Sequence, residues 1–224
     1  MAHGFLSDRT SSGRFPEIAR ALNAACYNAL AFDFSGCGES DDDSLSVAKQ
    51  VDDLEAAVAY AKASGFGCIA FWGNSLGCRI CLQAEAPQVE AMVLTGCCPG
   101  AVQYRWAEHF TVAQLAELEA TGFMTETFSE GLRCQIVVPA EMLADFATFD
   151  QARFLGRVRC PVLIVNGDGD AEERQYIEIS RAALRYLPKA SRHEIIAGAA
   201  HGFWGYLDQV RDLGLGWLRR HMPI

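Results

Sequence analysis

Three residue types that together can cleave an acyl bond occur in this chain. Ser75 lies at the centre of Gly73-Asn74-Ser75-Leu76-Gly77, between an apolar run and a helical pattern. A sharp strand-to-helix turn there would expose the serine hydroxyl, and the glycines would remove side chains that collide as the strand and helix close together. We therefore predict that Ser75 is a nucleophile. The alternative is a glycine-rich turn with an idle serine.

A serine hydroxyl needs a base to become a strong nucleophile. Among the five histidines, His201 lies in the loop Gly198–Phe203, directly after the last predicted strand. His109, His193 and His221 occupy less suitable positions. We predict that His201 is the base, with a solvated loop histidine as the alternative.

The imidazole in turn needs a carboxylate that fixes its tautomer and stabilises its cation. Gly167-Asp168-Gly169-Asp170 follows a predicted strand and offers two candidates. We favour Asp170 as this acid over Asp168, which would instead cap or brace the turn.

Short apolar runs alternate along the chain with amphipathic helical patterns. Strands are predicted near residues 29–32, 68–72, 91–95, 162–165 and 194–196, and helices near 15–22, 47–61, 177–187 and 203–217. Continuously apolar strands alternating with helices are typical of a parallel sheet that is covered on both faces. The predicted fold class is therefore α/β, with three layers around a mostly parallel sheet.

Residues 101–159 break this alternation. They contain one clear helix around Leu115, a candidate hairpin over 123–138 and a second helix through Met142. We predict that residues 1–100 and 160–224 form the core and that 101–159 form a small cap over the sheet edge where ligands bind. Trp106 and Phe110 in this segment are candidate substrate-binding residues, with a plain core role as the alternative.

Composition excludes several function classes. The net charge of −9 and pI near 5.0 disfavour nucleic acid and anionic lipid as partners. No apolar run approaches the roughly 18–20 residues that cross a bilayer. The N-terminal residues do not resemble a signal peptide, and nine scattered cysteines indicate reduced thiols, so we expect a cytoplasmic protein.

No phosphate-binding loop, zinc motif or dinucleotide fingerprint is present in the sequence. We therefore expect neither a cofactor nor a metal. A homodimer remains open.

Five segments carry a family resemblance: His3-Gly4-Phe5 through Arg14-Phe15, Phe32–Ser40, the turn around Ser75, Pro161–Gly167 and Gly198–Phe203. With them the chain resembles the α/β-hydrolase superfamily, especially small bacterial serine esterases that are feruloyl/cinnamoyl esterase-like and monoacylglycerol-lipase-like. The order Ser, Asp, His along the chain is also that of this fold.

The resemblance implies an oxyanion hole formed by the backbone N–H groups of Phe5 and Leu76, and a structural role for His3. It further implies cleavage of a small-molecule carboxylic ester through an acyl-enzyme. A thioesterase or peptidase would use the same chemistry, and a non-catalytic binding protein is the alternative from another class. The chain departs from its relatives at Ala171–Arg174, where they usually carry an apolar pair and a proline.

The family usually begins with strands before the His-Gly motif, where this chain has only Met1 and Ala2. The resemblance therefore implies an N-terminally truncated fold, in which one missing strand would separate residues 29–32 from 68–72. An unfilled gap would leave buried backbone groups unpaired, at about 1–3 kcal/mol each. We predict that these two strands pair directly in a five-stranded sheet. The alternative is that a second chain or an N-terminal extension fills the gap.

Overall fold

The computed structural model describes all 224 residues and shows the predicted alternation of strands and helices. The strands are β1 (Ile69–Asn74), β2 (Val89–Thr95), β3 (Phe123–Thr127), β4 (Gln135–Pro139), β5 (Val162–Gly167) and β6 (Arg192–Ile196). The helices are α1 (Arg14–Ala24), α2 (Val47–Ala63), α3 (Leu76–Gln83), α4 (Val112–Thr121), α5 (Ala140–Phe146), α6 (Gln151–Leu155), α7 (Ala171–Ala183) and α8 (Leu207–His221).

Four strands form one parallel sheet in the order β1-β2-β5-β6. Every residue of β5 is buried, as expected for a central strand whose side chains face helices on both sides. One core lies between the sheet and α2, α3 and α7, and a second lies between the sheet and α1 and α8. The predicted three-layer α/β architecture is confirmed.

Local sequence signals explain where several helices begin and which face they bury. Ser46 precedes α2, and its side chain accepts a hydrogen bond from the N–H of Lys49. In α1 the residues Phe15, Ile18 and Leu22 repeat at helical spacing and are buried against α8 and the sheet. Helix α2 thus begins at a side-chain cap, whereas α1 is stabilised by burial of its apolar stripe.

The segment 101–159 contains α4, the antiparallel pair β3–β4, and the short helices α5 and α6. Thr111 and Gln114 form a capping box at the start of α4. Met124 and Val138 of the hairpin are fully buried in the same core as α2 and α3. The segment is thus fixed to the body of the protein by its own apolar side chains.

The predicted pairing of residues 29–32 with β1 is wrong. Residues 27–34 have no regular secondary structure, and the sheet has four strands. Instead, Ala2 forms a parallel bridge with Gly73: its N–H donates to Trp72 O at 2.8 Å, and its carbonyl accepts from the N–H of Asn74 at 3.0 Å.

The N-terminal residues also contact residues 29–34, which lie across the gap from β1. The amino group of Met1 donates to Leu30 O at 2.7 Å, and the N–H of Phe34 donates to the His3 ring at 3.2 Å. The segment 1–3 therefore lies between residues 29–34 and β1 at one end, which holds the two apart and prevents direct pairing.

Beyond Met1 the gap continues as an apolar groove of about 580 Å³ along the outer edge of β1. Leu30, Tyr60, Phe66 and Ile224 line this groove and are 41%, 66%, 46% and 80% exposed. Because such exposed residues form its walls, solvent reaches the groove. The strand residues Phe71 and Trp72, which also line the groove, are buried.

Two glycines of α8 permit a matched test of the packing behind β1. A Cβ on Gly214 would lie 2.1 Å from the Trp72 ring, whereas a Cβ on Gly216 would meet no atom within 4 Å. We expect Gly214→Ala to destabilise the protein by about 1–3 kcal/mol through overpacking. Gly216→Ala should stabilise it by about 0.4–1 kcal/mol, because alanine favours the helix.

Urea unfolding monitored by circular dichroism measures both changes. Equal free energies of unfolding for the two variants would contradict the packing of α8 on Trp72.

Candidate active site

Ser75 lies at the turn between β1 and α3, with φ 54° and ψ −121°. Such a positive φ is strained for a residue with a side chain. The turn is held by two hydrogen bonds: the Ser75 N–H donates to Thr95 O, and the Ser75 carbonyl accepts from the N–H of Cys78, both at 2.9 Å. The expected sharp strand-to-helix turn is present, with the hydroxyl on the side of the sheet where the strands end.

The two glycines of the motif are required by close backbone contacts. A Cβ on Gly73 would lie 2.9 Å from the backbone of Cys78, and one on Gly77 would lie 2.1 Å from Ala2 O. No side chain fits at either distance. The glycines therefore let the helix close onto the strand and let the N-terminal segment approach the nucleophile turn.

His201 contacts Ser75 directly. Its Nε2 lies 2.9 Å from Ser75 Oγ, which is a normal hydrogen-bond length. The other ring nitrogen, Nδ1, lies 2.5 Å from Glu173 Oε1. A carboxylate only accepts, so Nδ1 carries the proton in the neutral ring and Nε2 accepts from the serine hydroxyl. This is the tautomer that a general base requires.

The predicted contact of Asp170 with this ring is wrong, because Glu173 takes that position. Asp170 caps α7: its Oδ1 accepts from the Glu173 N–H at 2.7 Å, and its Oδ2 accepts from the backbone N–H of His201 at 2.7 Å. Asp168 braces the turn by accepting from the Gly198 N–H at 2.6 Å. Both aspartates thus hold the backbone of the loops and neither reaches the imidazole.

Glu173 is fully buried in the first turn of α7. Its second oxygen, Oε2, accepts from the Asn166 side chain and from the Gly167 N–H, both at 2.8 Å. Together with His201, these donors satisfy both oxygens of a buried carboxylate, as a buried charge requires. Sequence reasoning missed this residue, since it preferred a loop position. The available signal was the helix-capping position of Asp170. A side chain that accepts from backbone N–H groups at a helix start is less free to bind an imidazole.

A second polar layer supports Glu173. Asn166 Oδ1 lies 3.0 Å from His193 Nε2 and 3.1 Å from Ser180 Oγ. Burial lowers the pKa of His193 to about 4, with a smaller contribution from Arg181. The neutral His193 ring therefore donates to the Asn166 carbonyl, which orients the Asn166 amide toward Glu173.

The pKa of His201 lies above its ordinary value. Burial opposes protonation most strongly, but the hydrogen bond to Glu173 and the charges of Glu172, Glu173 and Asp170 outweigh it. The site thus stabilises the imidazolium ion, which is the state that a base reaches after taking a proton.

The two expected oxyanion amides lie beside Ser75. Leu76 is the first residue of α3, whose leading N–H groups have no partner within the helix. A Cβ on Gly4 would lie 3.2 Å from Ser75 Cβ, so the next amide, that of Phe5, is adjacent to the site. The Phe5 N–H donates to no protein acceptor, and its ring packs on Phe146 with centroids 5.3 Å apart. An oxyanion role for these amides stays a prediction.

His3 is fully buried, and burial lowers its pKa despite the nearby Gly4 carbonyl and acidic groups. Its Nδ1 donates to Gly4 O at 2.9 Å, and its Nε2 accepts from the Phe34 N–H. The ring thus joins the Phe5 loop to residues 29–34, which fits the structural role implied by the resemblance.

A small cavity of about 30 Å³ adjoins the serine, and the segment 101–159 forms part of its wall. The lining residues are Ser75, Leu76, Arg79, Gly96, Cys98, Gly100, Val102, Tyr104, Phe146 and Tyr176. Trp106 and Phe110 are not among them. Trp106 instead packs behind the wall, with its ring centroid 4.8 Å from Tyr104 and 5.5 Å from Phe146.

All nine cysteines are free thiols. Nowhere in the chain do three or more His, Cys, Asp or Glu side chains converge as metal ligands would. None of the helices combines the length and apolar character that a transmembrane helix needs.

The chain is similar to known proteins in family and in fold. The family model described as "Alpha/beta hydrolase family" matches residues 1–213. No protein of curated function matches the chain.

Among solved structures, a monoacylglycerol lipase from Paleococcus ferrophilus is similar, with a TM-score of 0.73 and 16% identity over 98% of this chain and 93% of that one. Est1E from Butyrivibrio proteoclasticus with bound ferulic acid has a TM-score of 0.72 and 20% identity, covering 100% and 88% of the two chains. An esterase from Exiguobacterium antarcticum has a TM-score of 0.72 and 16% identity, covering 98% and 90%. These similarities establish a common fold.

The opposite pKa shifts of two histidines can be measured in one experiment. In a pH titration of the ring signals by NMR, we expect His193 to titrate near pH 4 and His201 above its ordinary value of about 6.5. Glu173→Gln removes the carboxylate bound to Nδ1, so it should lower the pKa of His201. An unchanged His201 pKa in that variant would contradict the arrangement.

Proposed function

The chain belongs to the α/β-hydrolase family, and on that premise we propose that it is a serine hydrolase that cleaves carboxylic esters through an acyl-enzyme. The observation that carries the proposal is the continuous relay from Ser75 Oγ through the His201 ring to Glu173, with contacts of 2.9 and 2.5 Å. A nucleophile, a base and a buried orienting acid are the parts that this chemistry needs.

In the proposed mechanism His201 Nε2 takes the hydroxyl proton as Ser75 Oγ attacks the ester carbonyl. The carbonyl oxygen becomes an oxyanion, which accepts hydrogen bonds from the N–H groups of Phe5 and Leu76. The His201 cation then protonates the leaving alcohol, and the ester bond breaks to give an acyl-serine. Water, deprotonated by His201, then attacks this acyl-enzyme, and the His201 cation returns the proton to Ser75 Oγ as the carboxylic acid leaves.

Glu173 stabilises the His201 cation without itself taking the proton. Asp170 and Asp168 act as positioning residues, since they hold the backbone of the His201 loop. The segment 101–159 serves as a cap that shapes the acyl pocket through Tyr104 and Phe146. The substrate is a small-molecule ester, and the protein works in the cytoplasm.

Active-site labelling tests whether the serine is a nucleophile. The purified protein should react with a fluorophosphonate probe, and both Ser75→Ala and His201→Ala should abolish labelling. Turnover of p-nitrophenyl esters, from acetate to palmitate, should fall by about 10⁴–10⁶ in each variant, because the residues act as a unit. A folded wild-type protein that neither labels nor hydrolyses any ester would instead indicate a binding protein.

A matched pair of variants distinguishes the role of Glu173 from that of Asp170. Glu173→Gln should lower turnover by about 10⁴, because the amide no longer stabilises the His201 cation and supports the wrong tautomer. Asp170→Asn, the matched control in the same turn, keeps an oxygen that can accept the His201 N–H and should lower turnover far less. Steady-state kinetics with p-nitrophenyl acetate measures both, and the reverse order of effects would refute the role of Glu173.

A further inference from the structure

Arg79 of α3 lines the cavity that contains Ser75, one helical turn after the nucleophile. Its side chain is almost fully buried, with the residue 7% exposed. A guanidinium is charged at all relevant pH values, and taking a charge out of water is costly unless it is paired. We therefore expect Arg79 to have bound acceptors or a counter-ion.

The protein supplies Arg79 with few partners. One terminal nitrogen donates to Thr148 O, and the guanidinium carbon lies 5.0 Å from the centroid of the Phe149 ring. The buried Nε has no hydrogen-bond partner at all. Of the five N–H donors of a guanidinium, only one is thus used by an acceptor of the protein.

No carboxylate forms an ion pair with Arg79. Glu173 is bound to His201, Asn166 and Gly167. Glu172 accepts from the hydroxyls of Tyr104 and Tyr176, at 2.9 and 2.5 Å, and is partly exposed. Burial lowers the pKa of Arg79, and the charge of Asp145 opposes this effect, although Asp145 forms no ion pair with the guanidinium. The positive charge beside the cavity therefore has no directly bound counter-ion.

From this juxtaposition we infer that Arg79 is the anion-binding residue of the substrate site, and that the ester carries a carboxylate close to its scissile carbonyl. This inference rests on the proposed function. A planar carboxylate matches the fork of N–H donors on a guanidinium, and the cavity of about 30 Å³ admits a small group. Because Arg79 and Ser75 line the same small space, the carboxylate and the reacting carbonyl can be only a few bonds apart.

Two pairs of esters of matched shape test the inference. Monoethyl succinate and ethyl 4-methylpentanoate differ in a carboxylate on the acyl side, whereas O-acetylglycolate and isobutyl acetate differ in one on the alcohol side. The readout is the ratio of kcat/KM for the charged ester over its neutral partner, measured by acid release. In the wild-type protein, at least one ratio should exceed about 10, since a charge-assisted pair is worth about 10–100-fold.

Arg79→Met, which keeps the length of the side chain and removes the charge, should reduce that ratio to one or below. Arg79→Lys should retain part of the preference. Arg153→Met is the matched control, because the Arg153 guanidinium lies 5.2 Å from the Phe154 ring on the exposed surface. Its ratio should equal that of the wild-type protein.

Binding without turnover is measured on Ser75→Ala by thermal unfolding. Monoethyl succinate or O-acetylglycolate at ten times its Kd should raise Tm by about 3–6 °C, and Ser75→Ala with Arg79→Met should show no rise. An Arg79-dependent rise without hydrolysis of any ester by the wild-type protein would support the anion site and refute the proposed function. Two results would overturn the inference without contradicting the proposed hydrolase function. In the first, the wild-type protein hydrolyses esters but both ratios are at one or below; in the second, Arg79→Met leaves the ratios unchanged.

Discussion

The arrangement of this site depends on a single buried carboxylate. Glu173 has no exposure to solvent, so each of its oxygens must find donors within the protein. Those donors come from the end of β5, through Asn166 and Gly167, and from His201 in the loop after β6. Removing one partner of a buried charged pair typically costs about 3–5 kcal/mol. The need to satisfy Glu173 therefore fixes the positions of two loops and one helix relative to one another.

The nucleophile is held from the opposite side by backbone contacts. Ala2 pairs with the end of β1, and the closest approach of the N-terminal segment to α3 requires a glycine at position 77. The same segment continues into Gly4 and Phe5, which bring a free backbone N–H next to Ser75. A short stretch of chain thus supports the strained turn and also supplies one side of the pocket.

The edge of β1 is paired at only one end. Ala2 forms a bridge with Gly73, and beyond it an apolar groove of about 580 Å³ runs along the strand. Its walls include exposed side chains such as Tyr60 and Phe66, whereas Phe71 and Trp72 of the strand are buried. The exposed apolar surface along this groove lowers the stability, because about 25 cal/mol of stabilisation is lost for each Å² that stays in water.

The sequence alone determined the elements whose apolar residues repeat locally. β2, β5 and α1 could be predicted because a buried strand and an amphipathic helix require continuous or periodic apolar side chains whatever their partners. The turn at Ser75 was predictable for a similar reason, since the nearby backbone of Cys78 leaves no room for a side chain at Gly73. The contact of Gly77 with Ala2 depends on the tertiary structure.

Residues 29–32 were predicted wrongly because their apolar character predicts a buried strand, whereas in the structure they form no strand and Leu30 is 41% exposed beside the groove. Whether Asp170 or Glu173 binds the imidazole was decided only by tertiary structure. The cap of α7 engages Asp170, and the rotation of the first helical turn directs Glu173 toward His201. The unpaired charge of Arg79 could not be predicted from the sequence either. An arginine in a helix is expected to be solvated, and only the tertiary structure shows that other segments of the chain bury it.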